Sequence, residues 1–246
     1  MKKYKTLIIG SSFASLGYAH TASDTLIIEQ SEMLDTSFYL RQRGFEKCCY
    51  TPGTDAGREL DSIFRERGVI TEDGQNVSAF EICLCRFAEK YRIAVYLKCR
   101  PVGHIKDANG YTVTLLHNGG LEDVHTEKII DTRQTGDGEK YLAVIFDTQN
   151  SAIDCDLIKA AFPGSTVSPA FYSGRYALYV NVSTDDINDA KVEIYRAWQK
   201  LEGYRILYMA PAFYAKTAEY PKLSDGRYGN PIEAFESGIF LAKEES

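Results

Sequence analysis

Positive charge is in short supply. The chain of 246 residues carries 28 Lys and Arg against 34 Asp and Glu, a formal net charge of −6, and no basic tract offsets it. A nucleic-acid scaffold needs the opposite balance, so no nucleic-acid partner is expected. Long apolar runs are missing too: none reaches the roughly 18 residues that a membrane span requires. The chain passes from Met1-Lys2-Lys3-Tyr4 straight into an apolar strand. It shows neither the longer apolar stretch nor the small-residue cleavage site of a signal peptide, so a cytoplasmic location is expected. The four histidines, His20, His104, His117 and His125, have no metal-ligand spacing, and surface positions beside strands and hairpins are expected for them. The six cysteines include no C-x-x-C pair, which excludes the common zinc and thioredoxin-like motifs. Cys83 and Cys85 flank Leu84 and are expected to be buried as small hydrophobes. Cys48-Cys49 falls in a presumptive loop, where ordinary reduced thiols and a reactive thiol are both open readings.

What is present suffices for a sizeable core. The composition is 44% hydrophobic, enough for one large or two small domains. The first thirty residues set the organisation. Lys5-Thr6-Leu7-Ile8-Ile9 is a β-branched apolar run, Gly10-Ser11-Ser12-Phe13-Ala14-Ser15 is a small-residue turn, Leu16-Gly17-Tyr18-Ala19 predicts a helix, and Thr25-Leu26-Ile27-Ile28 is a second strand ending on Glu29. The acid follows Gly10 by about the 20 residues of the dinucleotide fingerprint. In such a unit the helix N-terminus offers backbone N–H groups and a positive dipole end to a pyrophosphate. The acid accepts from the ribose hydroxyls and disfavours a ribose 2′-phosphate. The fingerprint is degenerate, with Gly10, Ser12 and Ser15 where three glycines belong, so a plain strand–helix–strand unit is the competing reading.

Further along, Cys48 to Gly57 reads as a loop and Phe38 to Arg43 as a short helix. Glu59 to Arg67 predicts a helix with Leu60, Ile63 and Phe64 on one face. Ser78 and Glu81 have the spacing of a capping box, ahead of a helix that buries Phe80, Ile82-Cys83, Phe87 and Ala88. Ile93 to Lys98 is a strand, and Asn109-Gly110 turns a hairpin between Val102–Ile105 and Tyr111–Leu116. A last strand runs through Lys128-Ile129-Ile130-Asp131-Thr132-Arg133. Tyr141–Phe146, Tyr176–Val182 and Tyr204–Met209 predict strands around a regular helix from Asp185 to Leu201. Trp198, the single tryptophan, belongs to its buried face. The 17 tyrosines concentrate after residue 170 and are expected in the core or as pocket lining. Tyr172, Tyr176 and Tyr214 are candidates for the pocket.

The order of elements, with the Gly10 turn, Glu29, the meander, Asp131-Thr132-Arg133 and a final Asn230-Pro231 helix, resembles the FAD-dependent oxidoreductases of the glutathione-reductase-like, two-dinucleotide-fold superfamily. The resemblance covers residues 4–30, 78–133 and 225–243. It implies an α/β fold with a Rossmann-like FAD-binding domain (a parallel sheet with a small antiparallel meander) from 1–133 and 211–246. A smaller α+β substrate-like domain would span 134–210. It implies FAD contacts at Gly10, Ser11, Ser12, Phe13, Ala14, Ser15, Glu29 and Gln30, and at Val102, Asp131, Thr132 and Arg133. At the second helix start it implies contacts at Gly229, Asn230, Pro231 and Ile232. Arg133, where the family has a small residue, is expected on a phosphate or a substrate carboxylate. Gly238 is expected to let the last helix pack closely. The flavin ring would face residues 134–215, and no second glycine fingerprint for NADH is present. The function so implied is an oxidoreductase of an unidentified small molecule, partnered by its substrate or by a redox protein. No acid–base pair is assignable. A non-catalytic relative, kept as a nucleotide sensor or partner subunit, is the alternative.

Overall fold

A computed structural model describes residues 1–34, 38, 50–71, 75–133, 138–148, 152–216 and 220–245, the side chains of 215 and 216 excepted. The chain builds two sheets. In the first, β1 (Lys2–Ile9), β2 (Thr25–Ile28), β3 (Ala94–Tyr96), β4 (Arg100–Asp107), β5 (Gly110–His117) and β6 (Gly120–Asp131) lie in the order β3-β2-β1-β6-β5-β4. The first four in that order are parallel, and β6, β5 and β4 form the antiparallel meander. Parallel strands are covered on both faces and read as continuous apolar runs. Thr6–Ile9 and Thr25–Ile28 are accordingly buried throughout. Ile8, Ile27 and Ile130 face the helical side, while Leu7, Ile9, Leu26 and Ile28 face a second layer with Val113, Leu115 and Val124.

The helical side holds α1 (Phe13–Thr21), α2 (Asp55–Glu66), α3 (Phe80–Lys90) and the C-terminal helix, labelled α6 (Pro231–Glu244). Phe13 is the hub of this layer, edge-on to Phe38, Phe64 and Phe80 at ring separations of 5.4–6.0 Å. The helices α1 and α6 cross at two glycines. A Cβ at Gly17 would lie 1.8 Å from the Phe235 carbonyl oxygen, and one at Gly238 would lie 1.9 Å from that of Ala14. Only hydrogen side chains admit that approach.

The second sheet is antiparallel. It joins β7 (Glu139–Asp147), β8 (Thr166–Pro169), β9 (Arg175–Val182) and β10 (Arg205–Met209) in the order β10-β7-β9-β8, with β11 (Tyr214–Lys216) also on β7. A short helix α4 (Cys155–Ala161) and the longer α5 (Ile187–Trp198) accompany it. Ala190, Ile194 and Trp198 pack on Leu142, Val144 and Phe146 of β7. The fold is the expected one: a Rossmann-like α/β layer with a meander, and a second, antiparallel sheet.

Local expectations needed correction. Ser78 caps nothing: Val77–Ala79 is a 3₁₀ turn, and α3 starts at Phe80 behind Ala79 with no side-chain cap. Ile82 is 60% exposed and Cys85 is exposed, because the buried stripe of α3 runs through Phe80, Cys83, Leu84, Phe87 and Ala88. The helix expected from Glu59 begins at Asp55, capped by Thr54, so Gly57 lies inside it. His20 sits on α1, half-buried, with its Nδ1 unpartnered. Cys48, Cys49 and the helix expected at Phe38–Arg43 fall outside the described residues, apart from the buried Phe38.

Candidate functional site: the start of the first helix

Gly10 ends β1 with φ of +96°, a conformation an L side chain adopts only under strain. Its N–H donates to Ile28 O at 2.8 Å, and a Cβ there would meet Thr132 Oγ1 at 2.4 Å. Thr132 in turn donates its hydroxyl to the carbonyls of Ile9 and Gly10, at 3.1 and 3.2 Å. The β1 and β6 tips are thus clamped where the chain reverses into α1.

The two serines at the glycine positions of the fingerprint turn inward. Ser12 is the N-cap of α1: its Oγ accepts from Ser15 N at 2.9 Å and donates to Leu223 O at 2.7 Å. Ser15 Oγ donates to Gly10 O at 3.1 Å. The remaining two N–H groups of the first turn, Phe13 and Ala14, donate to Asp225 Oδ2 and Oδ1 at 2.8 and 3.0 Å. Asp225 is wholly buried. It therefore sits where the dipole and the N–H groups of α1 would receive an external anion. Leu223, two residues before it, is held at φ of +59°, a conformation that costs a non-glycine residue on the order of 1–3 kcal/mol.

Glu29 is similarly engaged. One carboxylate oxygen accepts from Ser11 N and Ser11 Oγ at 2.8 and 3.0 Å, the other from Ser31 N at 2.8 Å, and the residue is 6% exposed. Gln30 beside it is exposed. Arg133 forks onto Asp131, Nε to Oδ1 at 2.9 Å and Nη2 to Oδ2 at 2.6 Å. Burial alone would raise the Asp131 carboxyl, but the Arg133 hydrogen bonds and charge win and hold it below its ordinary value. Val102 does not join this group. It lies in the β4 bulge, 49% exposed, on the edge strand beyond β6 and β5.

The start of α6 serves itself. Asn230 Oδ1 accepts from Ile232 N and Glu233 N at 2.8 and 3.4 Å, and Pro231 occupies the first turn, the position where its missing N–H costs nothing. Ile232 is buried and Gly229 exposed with open space about it. One turn on, Glu236 caps a different helix. Its carboxylate accepts from Gly53 N at 3.0 Å, from Thr54 Oγ1 at 2.6 Å, and from Thr54 N and Tyr50. Burial pushes this carboxyl up, but the four donors outweigh it and its pKa is lowered. Gly57 has no room for a side chain because a Cβ would lie 2.3 Å from Glu236 Oε1. Residues 223–236 thus place two fully buried acids, Asp225 and Glu236, on the N-termini of α1 and α2. Neither was among the residues singled out from sequence. The available signal was an Asp-Gly ahead of the Asn-Pro helix start and a Glu in the apolar face of that helix.

A separate pocket of about 300 Å³ lies between the Gln75–Ser78 turn and the second sheet, lined there by Ile145, Phe171, Tyr172, Arg175 and Leu207 among others. Of the three tyrosines expected at a pocket, Tyr172 lines this one, and its hydroxyl accepts from Asn76 Nδ2 at 3.2 Å. Tyr176 instead stacks on Phe146, and Tyr214 lies against Tyr141. Among the described residues no group of three or more His, Cys, Asp or Glu is arranged to hold a metal, and no helix is long and apolar enough to cross a membrane.

No protein-family model and no curated protein matches the chain. Solved structures do. A geranylgeranyl bacteriochlorophyll reductase-like protein from Thermoplasma acidophilum superposes with a TM-score of 0.60 at 16% identity, over 99% of this chain and 78% of that one. The p-nitrophenol 4-monooxygenase of Pseudomonas putida gives 0.59 at 11% identity, over 100% and 82%. Aklavinone-11 hydroxylase, solved with FAD and aklavinone, gives 0.56 at 15% identity, over 100% and 62%. At these identities the likeness is one of architecture: the chain has the two-sheet α/β fold of the FAD-dependent monooxygenases.

Proposed function

We propose that this chain is a flavin-free relative built on the FAD monooxygenase fold, which binds a small molecule in the pocket between the Gln75–Ser78 turn and the second sheet instead of holding a dinucleotide. The observation that carries the reading is the Asp225 carboxylate on the N–H groups of Phe13 and Ala14. A diphosphate needs those donors. Brought up to the same helix start, it also meets a buried negative charge. Two unit charges 4 Å apart at an effective dielectric near 20 repel by about 4 kcal/mol. The ribose end is only partly provided, since three donors from Ser11 and Ser31 already occupy the Glu29 carboxylate and leave it capacity for about one more, against the two hydroxyls of a ribose. On this reading the residues at the α1 start do not fit FAD.

The second reading is an FAD-dependent oxidoreductase of an unidentified small molecule. The left-handed Gly10 and the position of Glu29 at the tip of β2 favour it. It requires Asp225 to leave the α1 N-terminus. A visible spectrum of the purified protein and a calorimetric titration with FAD separate the two. A colourless protein that takes up no FAD supports the first reading. Flavin bands, or uptake with reversible bleaching by dithionite, establish the second.

A further inference from the structure

The pocket between the Gln75–Ser78 turn and the second sheet carries one uncompensated charge. Tyr172, in the connection between β8 and β9, bridges the two walls: its hydroxyl accepts from Asn76 Nδ2 at 3.2 Å. The Arg175 guanidinium lies over that ring, 4.8 Å from its centre, so the cation stands at the bridge. Tyr172 and Arg175 both line the pocket and both are exposed. Arg175 is opposite Asp147 in the register of β7 and β9, and Asp147 is two residues along β7 from Ile145. The three side chains therefore stand on one face of the sheet. Asp147 is engaged from its other side, where Arg205 Nη2 meets its Oδ2 at 2.6 Å. Arg205, Asp147 and Arg175 make a row of two cations and one carboxylate, and among the described residues no carboxylate pairs with Arg175. Every other residue lining the pocket is uncharged.

These groups define a ligand by complement. A lone guanidinium in an uncharged lining takes an anion, and its fork matches the two oxygens of a carboxylate. The body of the ligand follows from the rest of the lining. Ile145 and Leu207 offer branched aliphatic surface, and Leu207 is still 37% exposed, so covering it is favourable. Tyr172 offers a flat ligand little, because Arg175 covers one ring face and Phe171 stands edge-on at 5.0 Å. At about 300 Å³ the pocket is at the low end for ligand clefts, with room for a single chain and not for a dinucleotide. We infer that this pocket binds a medium-chain aliphatic carboxylate, its carboxylate on Arg175 and its chain along Ile145 and Leu207. This rests on the small-molecule reading above and names the ligand class for that same site.

The probe is octanoate. Two comparison compounds each change one feature: octanamide keeps the chain and has no charge, and benzoate keeps the carboxylate on a flat ring. Calorimetric titration of the purified full chain is expected to show octanoate binding more tightly than octanamide by about tenfold, the low end for a hydrogen bond to a charged group, and more tightly than benzoate. Arg175→Gln should abolish the preference over octanamide and leave octanamide binding as it was. Leu207→Asn should weaken octanoate and octanamide alike, since it removes apolar contact common to both. Arg196→Gln, an exposed arginine on α5 outside the pocket, should bind octanoate like the parent. Absence of octanoate binding at millimolar concentration overturns the inference, as does equal affinity for octanoate and octanamide. Benzoate binding as tightly as octanoate overturns the aliphatic body. An Arg196→Gln chain that loses as much affinity as Arg175→Gln overturns the assignment to this pocket. The comparisons among compounds on the parent chain stand even if a variant fails to fold. The flavin spectrum is independent of these titrations, so a failure of this inference and a failure of the flavin-free reading are told apart.

Discussion

Replacing Asp225 by Ala tests the central contact directly. The substitution removes two hydrogen bonds from backbone N–H groups to a buried carboxylate, each worth about 1.5–3 kcal/mol as bonds to a charged group. It also removes a negative charge from the positive end of α1, worth up to about 2 kcal/mol when buried. Against this stands the relief of no longer desolvating the carboxylate, several kcal/mol. The net expectation is a loss of about 2–4 kcal/mol. For a chain of 246 residues, each kcal/mol moves the melting temperature by about 2–4 °C, so 3 kcal/mol corresponds to about 6–12 °C. The informative half of the experiment adds pyrophosphate. In the variant the α1 donors are exposed to an external anion, and a ligand at about 100 times its dissociation constant restores about 2.7 kcal/mol. The parent should show no such rescue, because its own carboxylate holds the site. Asp225→Asn, which keeps an acceptor but no charge, should fall between the two. A parent protein stabilised by pyrophosphate as strongly as the variant would refute the reasoning, as would a variant that melts with the parent.

The other expectations are sharper in geometry than in chemistry. Gly17→Ala and Gly238→Ala should each destabilise by more than the usual 1–3 kcal/mol of overpacking, since the added methyl meets backbone in place of a movable side chain. Gly229→Ala, with open space around it, should melt like the parent, and chemical denaturation compares the three. Glu236 has a lowered pKa in the folded chain. Its contribution is therefore complete above the unfolded value near 4.5 and is lost as pH falls through the folded value. The stability gap between the parent and Glu236→Gln should accordingly shrink on acidification below about pH 4, as read from melting curves across the acid range. Glu29→Ala strands the N–H groups of Ser11 and Ser31 and should cost about 1–3 kcal/mol of stability per orphaned donor. Under the flavin reading it should also weaken FAD by roughly 1–3 kcal/mol, which titration distinguishes. Gly10→Val should impair folding, because a branched Cβ enters both a left-handed backbone and the space of Thr132.

Elements made from short-range patterns were legible in the chain itself. The apolar runs of β1 and β2, the Gly10 turn, the Asn109-Gly110 hairpin, the α5 stripe and the Asn230-Pro231 helix start all depend on neighbours within a turn or a strand, so their periodicity states them. Edges were less legible. The start of α3 and the exposure of Ile82 and Cys85 depend on which face of the helix meets Phe13 and Phe64, and that is a tertiary fact.

Sequence alone thus determined that a strand–turn–helix–strand unit opens the chain, that an acid ends its second strand, and that a helix closes it. Only the tertiary structure decided what the first helix start holds. Asp225 lies 212 residues from Phe13 and reaches it because α6 crosses α1 at paired glycines, bringing the segment before α6 with it. A local pattern specifies where backbone N–H groups are left over. Which carboxylate accepts them is settled by packing between the chain's two ends, and no spacing along the sequence encodes that.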